Sequence, residues 1–450
     1  MVFNVTNPSV AKELYGIVPV IATWRGLGEK ARMTRAAPSS PNEDPPARMR
    51  ILQAAREAIL AAGFLETSMD RIAHQAGASK QTLYALFSSR EQLFREVLRV
   101  TMDESGEEGA PDMRTLDLAD ATRAYAAWVE RSATNPANLE LYRANVAAAG
   151  VFPELAADLH RLRRRATPFS GILADQQRAG RLPDLDADRL AHWAGVLAIG
   201  GVRPLLGLTP TPRERHANIE AIVATFARGW RTGPSPGDPA TASAPLPAAP
   251  PRSVPIEQSG RISDAAWTAL LRLAATRFCE AGFRAASVEQ IGAQAGIAKM
   301  SIYRRFGNKQ GLFAAALDQA VDDRLGARPA MPRGDDIADT LRAIAYAHDR
   351  FAQQPEHVAL IRLLVAEAPS HAETVQRIWR RLVTPAHAEL ATRLRDWHAA
   401  GAIRLPDSAI AAEHFLLLAA RGNRRLTDTI VWDEDEAADH ARSLVALVYR

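Results

Sequence analysis

The sequence predicts an all-α protein built as two tandem copies of one helical unit. Three observations predict it. Ala, Leu, Arg and Glu recur with apolar positions three and four apart, and β-branched alternation is nearly absent. Sliding the chain along itself by 219 residues lays Ala281-Gly282-Phe283 on Ala62-Gly63-Phe64. It then lays Ile291 on Ile72, Gly296 on Gly77, Lys299 on Lys80, Tyr303 on Tyr84, Phe306 on Phe87 and Leu317 on Leu98 without a gap. Between the copies runs "RTGPSPGDPATASAPLPAAPPRSVPIEQSG", a Pro-, Ala-, Gly- and Ser-rich stretch that reads as a linker.

The repeat covers nearly the whole of each half. Arg342 falls on Arg123, Pro355 on Pro136 and Leu360 on Leu141, and a Thr-Pro pair (Thr167-Pro168, Thr384-Pro385) and an "RLPD" segment return after small length changes. The expected organisation is an N-terminal extension over 1–45, which reads as disordered, then a first small helical domain over 46–105 and a first larger one over 106–230. The linker at 231–260 follows, then the second small domain over 261–326 and the second larger one over 327–450. A chain of 450 residues is too long for one ordinary core and fits this division.

Composition narrows the class. Hydrophobic residues at 47% and charged residues at 24% are ordinary globular usage. No apolar run reaches the roughly 18 residues needed to cross a bilayer, and the brief "GIVPVIATW" lacks a convincing cleavage site for a secretory signal. The single Cys279 rules out an intrachain disulfide framework and fits a reducing cytosol. Net charge of +4 says little, because the placement of charge matters more than the sum.

In the first copy, Arg48 to Ala62 carries an apolar stripe through Ile51, Leu52, Ala55 and Ile59 and stops at Gly63. A short helix capped by Thr67 or Ser68 follows, with Asp70 in its first turn, and ends at Gly77. Ser79 caps a third helix, Lys80 to Phe87, and a fourth begins near Ser89. Two short helices joined by a Gly-containing turn make a helix-turn-helix.

The third helix decides what the device is for. On a wheel of 100° per residue, Leu86 and Phe87 fall within about 60° of Leu83 and form the expected buried stripe. Gln81 and Ala85 lie opposite, flanked by Thr82 and Tyr84. In the second copy Ile302 and Phe306 take the buried stripe, while Met300 and Arg304 face outward beside Ser301 and Tyr303, with Lys299 at the start. The inward pattern is kept and the outward pattern is changed, as expected of two readers of different base sequence.

Both stretches resemble the N-terminal DNA-binding domain of TetR-family transcriptional regulators. The first copy supplies Ile72-Ala73, Ala76-Gly77, Ser79, Leu83-Tyr84, Phe87 and Leu93-Phe94; the second supplies Ile291, Ala295-Gly296, Ile302-Tyr303, Phe306, Lys309 and Leu312-Phe313. The resemblance implies two TetR-like units, each a helix-turn-helix domain followed by a helical ligand-binding and dimerisation domain. It implies base contacts from the start of the third helix, and phosphate contacts from the tyrosine and the basic residue opening the fourth. The expected DNA-binding set is therefore Ser68, Lys80, Gln81, Thr82, Tyr84 and Arg90 in the first copy. In the second it is Ser287, Lys299, Met300, Ser301, Tyr303, Arg304 and Lys309.

Three departures stand out: Arg90 replaces the usual lysine, Ala298 replaces the Ser cap, and Arg50 corresponds to Ala269. "HRLRRR" (His160 to Arg165) reads as a solvated helix face, and Cys279 as a small core residue. Nothing points to catalysis. The histidines form no helical metal pair, and "IGGVRPLLG" (Ile199 to Gly207) lacks the Lys-Ser/Thr of a phosphate-binding loop and reads as a break inside or between helices. No cofactor, metal or membrane partner is expected. The expected partners are a double-stranded operator and a small-molecule inducer bound among the downstream aromatics, in a cytoplasmic, nucleoid-associated bacterial regulator. The two units are expected to pair within one chain as a pseudo-dimer, with a homodimer of chains as the alternative. A further alternative gives DNA binding to one unit and dimerisation or protein interaction to the other.

Overall fold

In the computed structural model, the described residues are 46–62, 67–106, 111–149, 154, 168–232, 262–427 and 432–450. The N-terminal extension, the run at His160 to Arg165 and nearly all of the expected linker lie outside them.

All regular structure among the described residues is helical, apart from one isolated antiparallel bridge between Arg231 and Ile403. The first half contains α1 (Ala47–Ala62), α2 (Met69–Gln75), α3 (Lys80–Leu86), α4 (Arg90–Gly106), α5 (Leu118–Ala133), α6 (Pro136–Ala148), α7 (Pro168–Arg178), α8 (Ala187–Ile199) and α9 (Pro212–Ala227). The second contains α10 (Asp264–Ala285), α11 (Val288–Ala295), α12 (Lys299–Phe306), α13 (Lys309–Ala327), α14 (Ile337–Ala352), α15 (Pro355–Glu367), α16 (Ala372–Ala399), α17 (Ser408–Ala419), α18 (Arg424–Thr427) and α19 (Glu434–Val448).

Local chemistry sets most of the boundaries. Ser68, Ser79 and Ser287 each accept a backbone N–H in the first turn of the helix they open, satisfying a donor that has no partner inside the helix. The last helix of each half opens on a reciprocal capping box, Thr211 with Glu214 and Asp433 with Glu436. Of the two readings left open for the 199–207 stretch, the break lies between helices: Gly200 ends α8 in the left-handed conformation and Arg203–Leu206 forms one 3-10 turn.

Three apolar cores organise residues 51 to 450. The first small domain is built on Ile51, Ile59, Ile72, Leu83, Phe87 and Phe94, and Leu141 and Ala144 of α6 join it. The second is built on Leu270, Phe278, Ile291, Ile302 and Phe313, and continues into Leu360 and Leu364 of α15 and Val375 and Ile378 of α16. Val146, Val202, Leu205 and Leu206 of the first half pack in that same cluster. The third core takes Phe169, Leu190, Trp193, Phe226 and Trp230 from the first half and Leu341, Ile344, Leu390, Phe415 and Leu444 from the second.

α8 and α9 of the first half therefore pack against α17 and α19 of the second. Trp230 is fully enclosed there. Its N–H donates to the Val448 carbonyl at 2.6 Å, its own carbonyl accepts from Arg404 N at 2.7 Å, and its indole Nε1 donates to Thr225 Oγ1. Burying a side chain of that size stabilises by roughly 3 kcal/mol or more on the usual area scale. Polar links cross the same seam: Arg203 with Glu413 at 2.7 Å, His414 with Asn218 at 2.6 Å, and Gln376 donating to the Leu206 carbonyl. Arg231 and Thr232, the first residues of the expected linker, are held against Ile403 and the Gly401 carbonyl.

Candidate nucleic-acid interface

Each small domain presents its third helix with one face buried and one open. In α3, Leu83 is fully buried while Lys80, Gln81, Tyr84 and Ala85 are exposed and Thr82 is half-buried. The expected stripe needs one correction: Leu86 is 38% exposed, whereas Phe87 is 2% exposed. The helix ends at Leu86, and Phe87 leaves it in an extended conformation (φ −138°, ψ 103°). Leu86, about 60° from Leu83 on the wheel, is left at the edge of the stripe, and the Phe87 ring, just past the helix end, takes the core position alone.

In α12, Ile302 is fully buried, Met300 is 77% exposed, Arg304 is exposed, and Ser301 and Tyr303 are half-buried. Phe306 is half-buried rather than enclosed, its ring meeting the Trp267 edge at a centroid distance of 5.6 Å. Arg305 stacks over the same indole at 4.7 Å, so its guanidinium braces α12 against α10.

The two helices start differently. Ser79 Oγ accepts from Thr82 N at 3.0 Å, whereas Ala298 offers no side-chain acceptor to α12. Both opening lysines reach back to the preceding helix, Lys80 to Asp70 at 2.7 Å and Lys299 to Glu289 at 3.5 Å. The 219-residue repeat aligns these pairs with one another. Both are solvent-exposed and worth little on their own, so a phosphate can compete for each ammonium. Pairing across ten residues between two helices was not legible from the helical wheel.

At the fourth helices, Arg90 opens α4 and Lys309 opens α13. Lys309 Nζ donates to the Arg284 carbonyl at 2.9 Å and sits 5.0 Å over the Phe283 ring. It thereby ties the end of α10 to α13. Phe283 N–H donates to Glu367 at the end of α15, so the kink at Gly282 (φ 72°) links the reading domain to the larger domain behind it. Asp318 of α13 receives both Arg377 and Arg381 of α16, and Asp322 receives Arg381. Cys279 packs beside the second core, and burial pushes its thiol up to about 11, so it stays protonated.

A cavity of about 250 Å³ lies behind the second reading domain. Its wall draws on α13 (Leu325), α14 (Phe351), α15 (His357), α16 (Trp379) and α17 (Leu416), and on Arg203 and Leu208 of the first half.

Comparison with known proteins supplies the family. Residues 51–97 and 270–316 both match the family model described as bacterial regulatory proteins, tetR family. Residues 339–449 match the C-terminal domain of AefR-like transcriptional repressors. No curated protein matches the chain. Among solved structures, a TetR-family regulator from Pseudomonas syringae pv. tomato is 28% identical over 40% of this chain and 94% of its own, with a TM-score of 0.32. The flavonoid-responsive regulator FrrA is 26% identical over 39% of this chain and 93% of its own, with a TM-score of 0.33. The two matches to the N-terminal model are displaced by the same 219 residues as the internal repeat: the chain belongs to the TetR family of transcriptional regulators and carries its DNA-binding unit twice.

Proposed function

We propose that this DNA-binding regulator is a ligand-responsive repressor in which the two units of one chain act as an intramolecular pseudo-dimer on an asymmetric operator. The observation that carries the reading is the pair of recognition helices, with Leu83 and Ile302 buried alike and Gln81-Ala85 against Met300-Arg304 outward. A homodimer presents the same face twice to a palindrome; this chain presents two unlike faces. The apolar seam of α8, α9, α17 and α19 supports pairing within the chain, because each half buries there the surface that a second chain would otherwise have to cover. Nucleoid localisation follows from operator binding.

Base contacts are assigned to Gln81, Thr82, Met300, Ser301 and Arg304, and phosphate contacts to Ser68, Lys80, Tyr84, Arg90, Ser287, Lys299, Tyr303 and Lys309. Gln81 suits a bidentate pair with adenine and Arg304 with guanine, while Met300 and Ala85 offer only apolar contact, for instance to a thymine methyl. Repression is the activity named in the description of the C-terminal family model.

Ligand response is assigned to the cavity behind the second domain. Leu325 on its wall belongs to α13, whose other end, at Lys309, lies in the reading domain, and Asp318 fixes α13 to α16, which also lines the cavity. A ligand that binds one setting of α13 better than another shifts the spacing of the recognition helices and with it the operator affinity.

DNase I footprinting on operators selected from a random library tests the reading. Protection of two unlike half-sites by a species of one chain is expected. Protection confined to one half-site, unchanged by Arg304→Ala, overturns the two-reader model and leaves one DNA-binding unit with a partner unit that completes the fold.

A further inference from the structure

The cavity's wall has an uneven charge. Four of its side chains are arginines, Arg203, Arg328, Arg380 and Arg425, against one carboxylate, Glu413. Glu413 is taken by Arg203 at 2.7 Å, and Arg328 is taken by Glu389 outside the cavity at 2.9 Å. Arg380 is exposed. Arg425 differs from all three. It donates from Nη1 to the Ala420 and Gly422 carbonyls at 2.7 Å, its Nε is buried without a hydrogen-bond partner, and no carboxylate pairs with it among the described residues.

Beside it, His357 is 8% exposed and its Nδ1 is also buried with no partner. Burial is the main reason both groups are pushed away from the charged form, Arg425 down to about 10 and His357 well below its ordinary value, and the Arg425 charge presses further on His357. The strongest opposing charge on Arg425, Asp349, is already bonded by Arg421. A guanidinium with no carboxylate of its own and a buried imidazole nitrogen without a partner each cost free energy that a stable fold does not need to carry. Both side chains line the same cavity, whose other walls include Phe351, Ile361, Trp379 and Leu416. One charged head in an apolar body answers that combination. A dianion or phosphate is a poor fit, because Arg425 is the one arginine of the wall that is neither exposed nor bonded to a carboxylate. The volume lies just below the ~300–1,000 Å³ usual for small-molecule sites.

We propose that the cavity binds a small apolar monocarboxylic acid, with its carboxylate on Arg425 and His357 and its hydrocarbon body against Phe351 and Trp379. This rests on the ligand-responsive reading above and names the chemical class of its ligand. Because Arg203 and Leu208 of the first half close part of the wall, such a ligand touches both units at once.

The test is a titration of the full-length protein, followed by tryptophan fluorescence, with four probes: 1-naphthoate, decanoate and their neutral primary amides. At least one acid is expected to bind with a dissociation constant below 1 mM and at least tenfold more tightly than its amide, and the preferred acid tells an aromatic from an aliphatic body. Arg425→Gln is expected to remove that tenfold difference between acid and amide. Amides that bind as well as the acids, or no binding of any of the four, overturn the proposal. The acid–amide comparison uses the unaltered chain, so it decides the matter even if the variant does not fold. Operator affinity measured with and without the bound acid separates the two readings. An acid that binds as expected but leaves operator affinity unchanged keeps the site and removes the ligand-responsive repressor.

Discussion

Arg304 and Ala85 hold the same place in the repeat, and the difference between them is the sharpest chemical difference between the two reading faces. Arg304 is exposed and suited to guanine O6 and N7; Ala85 offers a methyl group. Arg304→Ala is expected to cost ~1–3 kcal/mol of operator affinity and to relax preference at one base pair of the second half-site, measured by competition binding across single-base operator variants. Tyr303→Phe is expected to weaken all sequences equally. An Arg304→Ala loss spread evenly over the operator would show that this side chain meets phosphate instead. Lys309 is a less clean probe of phosphate contact, because it also holds the Arg284 carbonyl and the Phe283 ring.

Among the elements, α3 and α12 form a natural comparison of helix starts. Ser79 caps α3 through Thr82 N, while Ala298 leaves α12 without a side-chain cap. Ala298→Ser is expected to stabilise the second reading domain by ~0.5–2 kcal/mol, and Ser79→Ala to destabilise the first by a similar amount, both read by thermal unfolding. The turn after α17 gives the opposite case. Gly422 has φ 58°, and a Cβ there would stand 2.8 Å from Val196 Cγ1 on α8, across the seam. Gly422→Ala is therefore expected to destabilise by ~1–3 kcal/mol through left-handed strain and overpacking together. An unchanged melting temperature would mean that the two halves do not close on each other at this turn.

For the whole molecule, the seam between the halves carries histidines that burial keeps neutral. His414 on α17, bonded to Asn218, is held down to about 4, and His440 on α19, edge-on to Trp193 and bonded to the Leu418 carbonyl, also to about 4. In the unfolded chain such groups titrate near ~6.5. Between those values the unfolded state binds more protons, so stability is full above ~6.5 and is lost as pH falls toward 4. Each group contributes up to ~1.4 kcal/mol per pH unit in that window. Melting temperature is expected to fall between pH 7 and pH 4, and His414→Gln with His440→Gln to flatten that dependence. Light scattering at micromolar concentration is expected to give one chain of 48.9 kDa from neutral pH downward until unfolding sets in. A stable species of two chains would replace the pseudo-dimer with a dimer carrying four reading units.

What the sequence determined by itself is what short-range chemistry controls. Helix class, the cap at Ser79, a cap at Thr67 or Ser68, a break in the 199–207 stretch, the inward Leu83 and Ile302 and the 219-residue repeat depend on residues a few places apart, or on direct likeness between two stretches. Leu86 failed that reading because it stands at the edge of the stripe in the last helical turn, where the Phe87 ring just past the helix end already fills the core position. The paired Lys80 and Lys299, the Trp230 seam, the cavity and the unpaired Arg425 were decided only by the tertiary structure. Each depends on which surfaces meet after collapse, as where Arg203 meets Glu413 and Asn218 meets His414. Apolar burial has no direction in sequence, so a helical wheel can say that a face of α8 or α17 must be covered, but not that each lies against the other half.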